Sequence, residues 1–86
     1  MADQVDDLRL VMVDWVDSAQ PYGHWCHLDD LPPMEVIRCQ TVGWLVAESE
    51  DVLMLAQNLG DISTGNAQAS GLMRIPRACV REVGDL

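Results

Sequence analysis

Glu35 to Leu59 reads EVIRCQTVGWLVAESEDVLMLAQNL, two aliphatic runs joined by the acidic turn Glu48-Ser49-Glu50-Asp51. Neither run alternates cleanly between apolar and polar residues. In the second, Val52, Met54 and Ala56 share one parity while Leu53, Leu55 and Leu59 share the other. A strand that is apolar on both parities buries part of both faces, so this stretch predicts a central β-hairpin around which the remaining chain is arranged.

Working outward, Leu8 to Trp15 (LRLVMVDW) predicts a first strand that is again apolar on both parities. Residues 1–7 are polar or acidic and are expected to fray. Between that strand and the hairpin, Val16 to Pro33 loses all periodicity and is punctuated by Pro21, Gly23, Pro32 and Pro33. It predicts a long loop with one helical turn over His27 to Leu31, stopped by the proline pair. Connections of this length in a compact domain are usually functional. Gly43 suggests a bulge or sharp bend within the hairpin's first strand. Gly60 to Gly71 (GDISTGNAQASG) reads as a polar linker, Leu72 to Ile75 as a short strand, Pro76-Arg77 as a turn, and Ala78 to Val83 as the closing strand.

Five strands in this order, with a long first loop and a proline-marked turn before the last strand, predict an all-β domain spanning residues 1–86. The expected form is a small five-stranded SH3-like or Sm-like barrel occupying residues 8–83. The segments VGWLVAESEDVLMLAQNL and GLMRIPRACVREV also resemble a group of small phage-borne proteins. The shared features are a strand ending in tryptophan, a glycine-aromatic-leucine step, a leucine-alanine-glutamine strand end and an isoleucine-proline-basic turn. These are structural motifs, and they carry no catalytic residue over to this chain. Those proteins have no assigned function, and the leading expectation for this chain is a non-enzymatic phage-type binding protein that counteracts a host system from the host cytoplasm.

Composition narrows the partners. The chain holds fourteen carboxylates against five arginines and no lysine, a formal charge of −9. Such a field repels a phosphate backbone at long range, which argues against general nucleic-acid binding. No apolar run approaches the ~20 residues needed to cross a bilayer, and the acidic N-terminus lacks a signal-peptide pattern, so no membrane contact and a cytoplasmic location are expected. The charge is uneven: residues 1–35 hold eight acids and one arginine, whereas Gly71 to Arg81 holds three arginines and no acid. A local basic spot of this kind suits a small anionic ligand, since guanidinium presents a planar fork to phosphate or carboxylate. The alternative is that these arginines pair with the protein's own acids.

No arrangement of residues supplies enzyme chemistry. There is no phosphate loop, nucleophile elbow or zincin motif, and the paired carboxylates fall in turns or at the terminus, where solvation accounts for them. His24, Cys26 and His27, with Asp29 and Asp30 following, have metal-compatible types but lack the second ligand pair of a structural zinc site. Neither a metal nor a cofactor is expected. Cys26, Cys39 and Cys79 cannot all pair within the chain, so free thiols are expected.

The aromatic set is Trp15, Tyr22, Trp25 and Trp44. Trp15 and Trp44, on strands, suit a small core, while Tyr22 and Trp25, on the loop, suit contact with a ligand. The resulting site hypothesis joins Tyr22, His24 and Trp25 of the long loop to Arg74 and Arg77 of the last turn, with a small anionic or nucleotide ligand between them. Because a small barrel buries only its inward face, the apolar outer parities call for cover by another copy, giving a homo-oligomer. Two further readings are an acidic inhibitor of a host protein and a structural or accessory part of a virion.

Overall fold

The computed structural model describes residues 4–21 and 23–86. Five antiparallel strands form one sheet: β1 (Arg9–Asp17), β2 (Ile37–Glu48), β3 (Val52–Gly60), β4 (Gln68–Pro76) and β5 (Val80–Asp85). Their order across the sheet is β4-β3-β2-β1-β5. Short 3₁₀ turns stand at Gln4–Asp7, Leu28–Asp30 and Arg77–Cys79. No helix among the described residues is long and apolar enough to cross a membrane.

The central hairpin is present, with the expected acidic turn joining Glu48 to Val52. Ser49 organises that turn: its Oγ accepts from the backbone N–H groups of Asp51 and Val52, each at 3.2 Å. The 3₁₀ turn at Leu28–Asp30 and the turn after Pro76 also fall where the sequence places them. β4 is longer than expected. It begins at Gln68 within the stretch read as linker, and Gln68, Ala69 and Ser70 pair with Gly60, Leu59 and Asn58.

The sheet curls strongly about its inner face. Val11 and Val13 of β1, Leu45 of β2, Leu53 and Leu55 of β3 and Ile75 of β4 form one buried cluster, with Trp15, Met73, Val80 and Val83 packed against it. β1 and β4 lie three strand spacings apart, about 14 Å across a flat sheet, so Val13 and Ile75 join one core only if the sheet bends around it. Thr41 of β2 marks the same curvature, its Oγ1 lying 3.9 Å from the Met73 Sδ of β4 with β3 between them in strand order. Gly43 permits that approach: a Cβ there would stand 2.9 Å from the carbonyl oxygen of Ala56. The irregularity in the β2–β3 ladder falls between Leu45 and Ala47, and β1 pairs with β2 in unbroken register through Gly43.

Curling stops short of closure. β4 and β5 are the two edges and do not pair with each other, so the sheet is open. The molecule is also elongated. Its extents are 62 × 22 × 22 Å and its radius of gyration is 17.5 Å, against about 12 Å for a compact domain of this length. The β1–β2 hairpin runs past the last β1–β5 pair, Trp15 and Val80, to its own last pair, Asp17 and Ile37, and continues into residues 18–36.

Candidate functional site

Every described residue of the arm formed by residues 18–36 is exposed. Its sequence explains why: the prolines and the glycine remove strand and helix options, leaving no regular element to pack against the sheet. The hydrogen bonds seen along it are local, with the Asp30 N–H donating to the His27 carbonyl at 2.9 Å and the Cys26 thiol lying 3.9 Å from the His24 carbonyl.

The arm is nonetheless apolar in a patterned way. Trp25 is 102% exposed, Leu28 84%, Leu31 56% and Met34 100%, and these four large side chains recur every third residue. His27 (φ −68°, ψ 148°) and Leu31 (φ −64°, ψ 151°) flank the 3₁₀ turn in polyproline-type conformation. Both conformations have about three residues per turn, so a three-residue spacing keeps successive side chains on one side of each. The arm thus carries four exposed apolar groups, flanked by Asp29, Asp30 and Glu35 and by no arginine.

A second apolar surface lies on the sheet's outer face. Leu10, Trp44, Ala56 and Leu72 form one row across four strands, and Met12 opposes Val42 in the next. Ala56 is fully buried between its neighbours, Leu10, Met12, Trp44 and Met54 are half-buried, and Val42 and Leu72 are exposed. Trp44 is therefore an outer-face residue, not the core residue its central strand suggests. Trp15 does pack on the core, and its indole N–H donates to Thr41 Oγ1 at 2.9 Å. A cleft of about 250 Å³ is lined by Leu8, Val46, Leu59 and Ala69.

The residues expected to share one ligand site have distinct surroundings. Arg77 is committed to the β2–β3 turn. Its Nε donates to the Ser49 carbonyl at 2.6 Å, its Nη2 donates to Glu48, and its backbone N–H donates to the Asp51 carbonyl at 2.8 Å. The pairing with an own acid that sequence reasoning weighed is realised with Glu48, across the sheet, instead of with Asp29 or Asp30 of the loop. Arg74 is exposed on β4 opposite Met54. Trp25 and His24 lie on the arm, and Tyr22 lies outside the described residues. Among the described residues no three His, Cys, Asp or Glu side chains gather as a metal would require, and Cys26, Cys39 and Cys79 are free thiols.

Arg9 is held by Asp85, its Nε 2.6 Å from a carboxylate oxygen. That hydrogen bond and the accompanying charge raise the Arg9 pKa above its ordinary range. The two ion pairs account for Arg9 and Arg77. Arg38, Arg74 and Arg81 have no carboxylate within ion-pair distance among the described residues.

Sequence reasoning did not single out Arg38 and Arg81. Both line a cleft of about 370 Å³ over β1, together with Asp14, Val16 and Gln40. Their convergence depends on strand register, which the residues alone do not reveal. Comparison of the chain with protein-family models, with characterised proteins and with solved structures finds no match.

Proposed function

We propose that this chain is a non-enzymatic binding protein that works as a homo-oligomer, each copy seating its arm on the outer sheet face of another. The carrying observation is the exposure of Trp25, Leu28, Leu31 and Met34 on an arm none of whose described residues is buried. Charge supports a second copy as the occupant: the arm is acidic, and the outer face places Arg74, which has no ion pair among the described residues, beside Met54 and Leu72.

Magnitudes favour a reciprocal contact. Burying each large apolar side chain stabilises by about 1.5–3 kcal/mol, so the four on one arm give on the order of 6–12 kcal/mol. Association costs roughly 4–15 kcal/mol in lost freedom. One arm is near break-even, whereas two arms engaged in the same closed assembly exceed the cost. We read the open, curled sheet, with β5 beside β1, as an SH3-like or Sm-like barrel lacking its last seam. The resemblance to small phage-borne proteins makes a virion component or a host protein the next class of partner for the same arm.

A photo-crosslinker on Cys26 tests where the arm sits, in a chain with Cys39 and Cys79 replaced by alanine. Crosslinks between copies, landing on the outer-face stretches around Met12, Trp44, Met54 or Leu72, support the reading. Crosslinks only within one copy, or only to other surfaces, overturn it.

A further inference from the structure

The cleft over β1 is a second, chemically different feature. β1 pairs with β2 on one side and β5 on the other, and Val16 stands directly opposite Arg38. On the β5 side, Asp14 opposes Glu82 and Trp15 opposes Val80. One extra residue, Arg81, therefore faces the step between Asp14 and Trp15. A bulge of this kind re-aims the side chain it carries, and here Arg81 joins Arg38 in lining one cleft.

Two of five arginines, in a chain with fourteen acids, thus meet at one place without a carboxylate partner within 4.0 Å among the described residues. The nearest acid in the cleft, Asp14, is already engaged, accepting from Gln40 Nε2 at 2.8 Å. Arg38 and Arg81 stand on either side of β1 and line one cleft, and a pair of guanidinium donors at one place suits an oxyanion with several acceptor oxygens. The cleft volume of about 370 Å³ falls in the range of small-molecule sites, leaving room for an organic group behind the anion.

We infer that this cleft binds a small organic phosphate of mononucleotide size, its phosphate held between Arg38 and Arg81. The site lies on one chain, so it does not depend on the arm contact. Titration calorimetry at low ionic strength, with adenosine monophosphate, ribose 5-phosphate, inorganic phosphate and citrate as separate probes, tests it. Expected is saturable binding of at least one phosphate ester, tighter than inorganic phosphate or citrate. Arg38→Ala and Arg81→Ala should each weaken it tenfold or more, equivalent to about 1.4 kcal/mol, and Arg9→Ala, at the other end of β1, should leave it unchanged. Each variant is checked for unaltered melting temperature, and Arg38→Gln and Arg81→Gln serve where an alanine variant fails to fold. Absence of saturable binding by every phosphate ester, equal affinity for citrate, or equal weakening by Arg9→Ala overturns the inference.

Discussion

Arg77 and Glu48, far apart in sequence, meet through the Arg77 Nη2 hydrogen bond, and Arg77 Nε simultaneously caps the Ser49 carbonyl at 2.6 Å. One side chain thus fastens the turn after β4 to the turn between β2 and β3, at the end of the sheet opposite the arm. Charge-assisted contacts in which both partners keep substantial solvent exposure contribute modestly. The added bond to a backbone carbonyl makes this contact more than a surface pair.

Arg77→Ala is accordingly expected to destabilise the fold by about 1 kcal/mol, which lowers the melting temperature by roughly 4–8 °C in a domain of this size. Calorimetry measures it. Glu48→Gln should cost less, because Arg77 keeps its bond to Ser49. A melting temperature unchanged by Arg77→Ala removes the clamp from the account.

Gly43→Ala tests the curl of the sheet. The new Cβ would meet the Ala56 carbonyl at 2.9 Å and Leu55 Cβ at 3.2 Å, so β2 and β3 must separate or flatten. A loss of about 1–3 kcal/mol in urea unfolding is expected. Gly23→Ala, where a Cβ meets nothing within 4 Å, serves as the control and should be neutral.

The Arg9 contact carries a pH expectation. A folded-state pKa raised above the unfolded value contributes stability that is complete below the unfolded value and lost only as pH rises through the folded one. For a guanidinium that window lies far above neutrality. The difference in melting temperature between the wild type and Arg9→Ala should therefore be the same at about pH 6 and about pH 9. A difference that disappears within that interval contradicts the assignment.

The sequence made the hairpin legible because Glu35 to Leu59 holds two apolar runs and one turn whose Ser49 acts on the backbone as such serines do. It concealed the start of β4, since Gln68, Ala69 and Ser70 form an exposed edge and carry no apolar pattern, although their backbone pairs with β3. The grouping of the arginines was equally hidden. Whether Arg77 reaches Glu48 or Asp30 depends on strand order and direction, which put Asp30 at the opposite end of the sheet, and Arg81 joins Arg38 only through a one-residue irregularity in register. The arm was visible as a loop, but the three-residue spacing of its apolar groups matches neither the helix nor the strand period and so drew no notice.

Assembly through the arm is the central claim, and light scattering coupled to size exclusion across a dilution series tests it most directly. The wild type is expected to elute as a multiple of its 9.5 kDa chain mass. Combined replacement of Trp25, Leu28, Leu31 and Met34 by serine should yield a monomer, with the melting temperature of the sheet no lower than that of the wild type diluted to its own monomer. A wild-type chain that remains at 9.5 kDa at every concentration, or an oligomer whose mass survives the fourfold replacement, would contradict it.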